Sequence, residues 1–142
     1  MPAQASNVYV IKTAITNPGL PIFELHRQKT MYGGKKVAAG DTVYVFASEN
    51  EGGAGLVAKG IVVSVRATQR RPGVERQTPR VSLVIQATAR AKRRLGREEL
   101  KPCQQWTDGR PETELNFKFY RQATNKIAGV SGEAAAFLEA HF

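Results

Sequence analysis

Apolar and β-branched residues are densest between residues 40 and 65. Residues 42–48 are apolar almost throughout, which is typical of a strand that is covered on both faces. Residues 56–65 form a second β-rich run, and Gly60 within it indicates a bulge or a sharp bend. The Gly-rich stretch between the two runs predicts a turn. The pattern therefore predicts a hairpin of two long, bent strands at the centre of a small β-barrel.

Shorter apolar runs on either side of this hairpin predict further elements. Residues 8–12 and 81–87 are expected to form strands, and residues 13–20 a loop. A loose helical spacing of apolar side chains predicts one or two helical turns within residues 22–31. The basic run at residues 90–94 is expected to extend the strand that precedes it past the edge of the barrel.

The C-terminal third contains shorter elements. Residues 96–101 predict a short helix that Pro102 ends, and residues 103–113 predict a loop. Residues 115–120 alternate between apolar and polar side chains, which predicts a strand, and residues 125–130 predict one more short strand.

A closing helix is expected after this strand. Ser131 is its predicted N-cap, and Glu133 lies in the first turn, where the helix dipole favours an acid. The apolar residues of this segment follow helical spacing: Val130, Ala134, Phe137, Leu138 and Phe142.

These elements predict an α+β protein, a mixed β-barrel of five to six strands with short flanking helices and a C-terminal helix. Loops rather than long crossover helices separate the strands, which argues against a doubly wound parallel sheet. No internal repeat or domain boundary is visible. Residues 1–142 are therefore expected to form a single domain, with a basic loop insertion at about residues 66–80.

The composition excludes several kinds of site. The single cysteine, Cys103, rules out an internal disulfide and a Cys-clustered metal site, and the two histidines lack metal-ligand spacing. No cofactor or metal is therefore expected. No apolar run approaches the roughly 20 residues of a membrane helix, and the N-terminus lacks a signal-peptide pattern. We expect a cytoplasmic protein without a membrane partner, whose oligomeric state stays open with a monomer favoured.

The net charge of +9 is concentrated in one segment. Residues 66–97 contain ten basic residues and one acid, Glu75, while the rest of the chain is balanced. A localised excess of arginine is the electrostatic signature of a polyanion-binding surface. A solvated basic loop that keeps the protein soluble is the alternative. The residues expected to hold phosphates are Arg66, Arg70, Arg71, Arg76, Arg80, Arg90, Lys92, Arg93 and Arg94.

The sequence shows no catalytic constellation, so an enzyme is not expected. The Gly-rich turn lacks the Gly-Lys-Ser/Thr ending of a phosphate-binding loop, and no serine lies in a nucleophile elbow. Neighbouring carboxylates, such as Glu98 and Glu99, are interpreted as solvated surface. Trp106 lies in a polar loop, where it either stacks on an exposed base or anchors the loop against the barrel.

Three stretches of the chain, taken in order, form a family pattern. The first is a hydrophobic strand that ends in Lys-Thr, at residues 9–13. The second is Gly-Asp-x-Val-x-x-Phe-x-Ser at residues 40–48, followed by the Gly-containing run at residues 56–65. The third is residues 117–131 with the closing helix at residues 133–142. In this order the stretches resemble the EVE domain of the PUA-like superfamily, which also includes the YTH and ASCH domains.

The chain departs from the family pattern at several positions. The family often has Trp in the first strand, where this chain has Tyr9 and Val10, and the usual Pro before the last helix is missing. The basic insertion is particular to this chain. Residues 34–37 resemble the start of the ASCH motif Gly-x-Lys-x-x-Glu-x-Arg, but its Glu and Arg are missing. This departure argues against the ASCH branch and its occasional hydrolase activity.

The resemblance implies a barrel pocket that accepts one flipped, possibly modified base of DNA or RNA. Phe46 or Trp106 would supply a stacking face. Thr13, Ser48 and Asn125 would read the edge of the base, and the basic segment would hold phosphates. The residues expected in the base pocket are Lys12, Thr13, Ala14, Phe46, Ala47, Ser48, Trp106, Arg121, Asn125 and Lys126.

Other interpretations stay open at this point. Thr13 and Ser48 could make ordinary strand-end hydrogen bonds, and Asn125 could be a turn residue. A small hydrolase of a modified nucleoside or amide would need a lysine with a perturbed pKa in the same pocket, for which Lys12 and Lys126 are the candidates. A protein-interaction domain that uses the basic surface is the third possibility.

Overall fold

A closed barrel of six strands forms the body of the protein. The computed structural model describes residues 8–15, 17–67, 80–120 and 126–142. The strands are β1 (Val8–Thr13), β2 (Ile22–Met31), β3 (Thr42–Ala47), β4 (Gly55–Ala67), β5 (Arg80–Arg90) and β6 (Lys126–Gly129).

The strand order around the barrel is β1-β3-β4-β5-β2-β6, and β6 closes the barrel between β2 and β1. The pairs β1/β3 and β2/β6 are parallel, and the other four pairs are antiparallel. The expected α+β class with a mixed β-barrel is therefore confirmed.

Alternate residues of all six strands point into the barrel and form its core, because successive side chains of a strand face opposite sides. Tyr9 and Ile11 of β1, for example, are buried there with Ile127 of β6. The other buried members of this core are Phe23, Leu25, Val37, Val43, Val45, Ala58, Val62, Val81, Leu83 and Ile85.

A second apolar layer lies between the barrel and three helices, which are α1 (Arg97–Leu100), α2 (Pro111–Phe119) and α3 (Gly132–Glu139). Its buried members are Val10, Tyr44, Phe46, Leu56, Leu95, Leu100, Leu115, Phe119, Tyr120, Ala128, Ala134 and Leu138. The helices therefore cover the outer face of β1, β3 and β6. Among the described residues, none of the helices is long and apolar enough to cross a membrane.

The start of α3 confirms the predicted cap. The Ser131 hydroxyl accepts a hydrogen bond from the backbone N–H of Ala134 at 3.1 Å, which satisfies one of the unpaired donors of the first turn. Ala134 and Leu138 are buried, as their helical spacing predicts.

The predicted central hairpin is also confirmed. β3 is buried along nearly its whole length because the barrel interior covers one face and the helices cover the other. The register of β4 against β5 shifts between Lys59 and Gly60, as a strand glycine suggested. A Cβ atom at Gly60 would lie 2.5 Å from the carbonyl oxygen of Gln86, so a side chain would push the two strands apart.

The helical prediction for residues 22–31 is wrong, because this segment is the ten-residue strand β2. Phe23 and Leu25 point inward with a period of two. Arg27 then adopts a φ of 55° at a bulge, and the register against β5 shifts there. The bulge breaks the alternation, which is why the spacing of apolar residues looked helical.

The strand prediction for residues 115–120 is also wrong, because most of this segment belongs to helix α2. Pro111 opens the helix in its first turn, where a missing N–H costs nothing. Its buried residues include Leu115, Asn116 and Phe119, which lie on one helical face. The loop predicted for residues 103–113 is shortened by the same helix.

The basic insertion predicted at residues 66–80 is bounded by two strands, because Arg66 lies near the end of β4 and Arg80 begins β5. Residues 68–79 lie outside the described residues. At its other end β5 stops at Arg90, so residues 91–94 do not extend the strand as expected.

Candidate nucleic-acid interface

Three strands bring much of the predicted base pocket together at one end of the barrel. In the parallel pair β1/β3, Lys12 lies beside Phe46 and Thr13 lies beside Ala47. In the antiparallel pair β1/β6, Lys12 also lies beside Lys126. These residues come from three distant parts of the sequence, and the strand register places them side by side.

Lys12 is a buried cation, with 2% of its surface exposed. Its Nζ donates a hydrogen bond to the carbonyl oxygen of Phe119 at 2.9 Å and lies 4.5 Å from the ring centroid of Tyr120. Burial lowers the pKa of Lys12, and the Glu49 carboxylate offsets part of that shift. A buried charge is tolerated only when it has partners of this kind.

Lys126 is as deeply buried as Lys12, with 2% exposure. Its Nζ lies 5.8 Å from the ring centroid of Phe119. Burial, with the neighbouring cations of Lys12 and Lys29, lowers the pKa of Lys126 to about 8. An aromatic ring is therefore a close neighbour of this amine.

The two buried lysines belong to a line of four cations across neighbouring strands. Lys126 of β6 lies beside Lys29 of β2, and Lys29 lies beside Arg80 of β5. Because register partners project from the same face of a sheet, Lys12, Lys126, Lys29 and Arg80 form one row on the outside of the barrel. We call these four residues the basic row. It runs from the exposed Arg80 through the half-buried Lys29 to the two buried lysines.

Aromatic rings pack beside the buried end of the basic row. The rings of Phe46 and Phe119 are nearly parallel, with centroids 6.4 Å apart, and Tyr120 meets Phe46 edge-on. Phe46 is 1% exposed, so its ring is covered by these neighbours.

Thr13 and Ser48 are joined through the backbone at the end of the strands, where the Ser48 N–H donates to the Thr13 carbonyl at 2.8 Å. Both residues are buried, whereas Ala14 is exposed. Arg121 and Asn125, which were expected to complete the pocket, lie outside the described residues.

The structure places Trp106 in a different group. Its ring meets Phe117 edge-on with centroids 5.6 Å apart, and Phe117 in turn lies 6.2 Å from Tyr32. On α2, Phe117 therefore faces Trp106 and Tyr32, while Phe119 faces Phe46. Trp106 and Phe117 line a cavity of about 270 Å³ with Gly109, Arg110, Thr113 and Glu114.

The predicted phosphate-binding residues divide between regions of the barrel. Arg66 lies beside Ser82, near the connection between β4 and β5, whereas Arg90 lies beside Ala58 at the other end of that strand pair. Arg70, Arg71 and Arg76 lie outside the described residues.

The exposed residues Lys92, Arg93 and Arg94 follow β5 on the pocket side. The Leu56 N–H bonds to the Leu95 carbonyl, and Leu56 lies beside Phe46.

The structure adds two residues that the sequence did not point to. Lys29 was missed because its segment looked helical. Glu49 accepts a hydrogen bond from the Tyr120 hydroxyl at 2.9 Å and from the backbone N–H of Arg97 at 2.6 Å. It therefore ties the turn after β3 to α1 and to the aromatic cluster. Among the described residues, no group of side chains could hold a metal ion.

Comparison with solved structures gives the fold. Human THYN1 protein, solved in complex with 5-methylcytosine-containing DNA, is 15% identical, with a TM-score of 0.64 over 95% of this chain and 96% of that chain. This chain has the same fold. A hypothetical protein from Leishmania major (16% identical, TM-score 0.60) covers 96% of this chain and 95% of its own.

The DUF55 domain of human thymocyte nuclear protein 1 is 13% identical, with a TM-score of 0.60 over 93% of this chain and 96% of that domain. No family model and no curated protein matches the sequence. The mixed β-barrel with short flanking helices that the sequence predicted is thus the fold that this chain shares with these structures.

Proposed function

We propose that this protein binds nucleic acid at the pocket end of the barrel and accepts a flipped, modified base beside the buried lysines. The observation that carries the proposal is the basic row, which leads from an exposed arginine to two buried amines against aromatic rings. Cations on the surface suit phosphates, and a buried polar site among rings suits a base that has left its stack.

The direction of the basic row suits a nucleic-acid strand that lies along the barrel surface, across the β-strands. Neighbouring strands of a sheet lie about 4.8 Å apart, so the four residues span roughly 14 Å. Phosphates held at Arg80 and Lys29 would bring the next nucleotide to Lys126 and Lys12. Lysine amines are donors alone, so they would read acceptor atoms on the base edge. The crystal structure of human THYN1 with 5-methylcytosine DNA makes a methylated pyrimidine the first base to test.

Binding of labelled oligonucleotides tests this proposal. Matched single- and double-stranded DNA and RNA with cytosine or 5-methylcytosine would be titrated in a salt series from about 50 to 200 mM. Removing one phosphate-binding cation from the basic row is expected to weaken binding to all sequences and to reduce the salt slope by about 1. We expect this result for Lys29→Gln, with Lys36→Gln, an exposed lysine outside the row, as the matched control.

The two parts of the proposal fail separately. If no oligonucleotide binds at the lowest salt, nucleic-acid binding is wrong. If oligonucleotides bind but Lys29→Gln behaves like Lys36→Gln, the basic row is not the interface. If methylated and plain cytosine bind alike in every context, the pocket does not read that modification.

The lowered pKa of Lys126 favours a second candidate function, hydrolysis of a modified nucleoside or a related amide. An amine that is partly neutral near pH 7 can act as a general base. Product formation from free modified nucleosides, abolished in Lys126→Met and insensitive to salt, would support this candidate. Absence of product would rule out hydrolysis and leave nucleic-acid binding as the sole candidate function.

A further inference from the structure

The amine of Lys126 differs from that of its buried neighbour. Lys12 donates to the Phe119 carbonyl and has Glu49 nearby, and both contacts favour its charged form. Lys126 lies against the Phe119 ring at 5.8 Å, near the outer limit at which a ring stabilises a cation. Two further cations, Lys12 and Lys29, flank it in the basic row. Of the two amines, that of Lys126 therefore loses its proton more easily.

Desolvation and neighbouring cations are the two means by which proteins turn a lysine into a nucleophile. The pKa of Lys126, at about 8, leaves roughly a tenth of its amines neutral at pH 7. An ordinary lysine has fewer than about one neutral amine in a thousand at that pH. Lys126 is 2% exposed, and a neutral amine at a site that excludes water reacts readily with a carbonyl group that reaches it.

We propose that Lys126 forms a reversible covalent imine with an aldehyde carried by nucleic acid, a reaction that rests on the proposed function because the basic row must deliver the strand. The Nζ lone pair attacks the carbonyl carbon, and the carbonyl π electrons move to oxygen. The amine loses a proton, the carbinolamine loses hydroxide with a proton as one water, and a C=N bond remains. No oxidant or reductant takes part, and water reverses the reaction.

Two kinds of nucleic-acid lesion or modification present this aldehyde. One is a formyl group on a pyrimidine base, and the other is the ring-opened sugar of an abasic site. Both would enter the pocket as a single flipped nucleotide, and the abasic site is the easier of the two to extrude because it has no base to unstack. The shared chemistry is the aldehyde, and the experiment separates its two sources.

Reductive trapping tests the imine directly. The full chain would be mixed with oligonucleotides carrying a formylpyrimidine, an abasic site or 5-methylcytosine, and treated with sodium cyanoborohydride, which converts an imine into a stable secondary amine. We expect a gel-shifted adduct with one or both aldehyde oligonucleotides and none with 5-methylcytosine. Peptide mapping is expected to place the adduct on Lys126 in the wild-type protein, so the result does not depend on the folding of a variant.

The matched variants are Lys126→Arg, which keeps the charge but removes the nucleophile, and Lys36→Arg at an exposed position. Trapping is expected to fall at least tenfold in the first and to stay unchanged in the second. The groups that face the amine are Lys12 on β1, Lys29 on β2 and the ring of Phe119 on α2. Since Lys126 is the reacting group, the trapping rate should rise with pH through a midpoint near pH 8 and level off about one unit above it.

Adducts spread over exposed lysines, a rate that continues to rise towards pH 10, or wild-type trapping by Lys126→Arg would each overturn the proposal. Absence of any adduct would also overturn it. If the oligonucleotides still bind with a salt slope that Lys29→Gln reduces, the imine alone has failed and the proposed function stands. If they do not bind, both have failed.

Discussion

The two halves of the barrel surface differ in how they are covered. On β1, β3 and β6 nearly every residue is buried, because helices cover the face that does not point into the barrel. On β2 and β5 the burial alternates, and among the described residues Ile22 is 49% exposed on this side. Val63 in the second half of β4 is 51% exposed. We call these the covered half and the bare half.

The difference shows where a polar site can be built. The bare half meets water directly, so its charged residues are exposed or, in the case of Lys29, half-buried. The covered half forces each outward polar group to be desolvated, and Lys12 and Lys126 are the lysines of β1 and β6 that experience this. The chemistry of the candidate site therefore comes from the helices that close over the strands rather than from the barrel itself.

The largest expected effect is on the packing of the covered half. Phe46→Ala removes a ring that is 1% exposed and stacked on Phe119. We expect a loss of about 3–5 kcal/mol in the free energy of unfolding, since a large cavity is left in a rigid layer. Urea unfolding followed by fluorescence measures it. A loss below about 1 kcal/mol would mean that the helices do not pack tightly on this face.

The second effect is a pH dependence of stability. Because the folded pKa of Lys126 lies near 8, below that of an unfolded lysine, the folded state binds fewer protons between about pH 8 and 10. Stability should therefore rise across this window, by roughly 1–3 kcal/mol. Burial lowers the pKa of Lys12 as well, so Lys126→Met should flatten the rise without abolishing it.

Measurements of the unfolding free energy should stop near pH 10. Burial raises the pKa values of Tyr44, which contacts Glu139, and of Tyr120, which contacts Glu49. These tyrosines keep their protons in the folded state above pH 10, so stability falls again there. Parallel pH profiles for the wild type and Lys126→Met would contradict the assignment of the rise to this amine.

A smaller effect is expected at the cap of α3. Ser131→Ala removes the hydroxyl that accepts from Ala134 and donates to Glu114, and we expect a loss of about 1 kcal/mol. Ser131→Thr keeps the hydroxyl and serves as the control in the same urea experiment. Equal losses in the two variants would show that the cap does not hold the helix on the covered half.

The smallest effect is expected on the bare half. Ile22→Thr and Val63→Thr replace side chains that are about half exposed, so each should change the unfolding free energy by less than about 0.5 kcal/mol. A loss above about 1 kcal/mol that grows with protein concentration would show that a second copy covers this face in solution.

The contrast between the covered half and the bare half also explains which strands and helices could be predicted from the sequence. The hairpin of β3 and β4 was predictable because burial on both faces requires a continuous apolar run. The strand β2 could not be predicted, because the bulge at Arg27 breaks its alternation. The helix α2 could not be predicted either, because Leu115 and Phe117 alternate as in a strand.

The candidate site shows the same limit at the level of single residues. Lys12, Phe46 and Lys126 could be proposed together from the family resemblance. Lys29 and Glu49 could not, since their positions depend on a strand register and on a contact with Tyr120 that no local pattern contains. Trp106 was grouped with the pocket because aromatic residues in basic chains often stack on bases, and the structure instead groups it with Phe117.

The place of β6 in the barrel has a consequence for synthesis. This four-residue strand lies between β1 and β2, although it follows them by about a hundred residues in the chain. During synthesis, one edge of β1 and one edge of β2 therefore stay unpaired until β6 has left the ribosome. Exposed edges of this kind invite pairing with other chains.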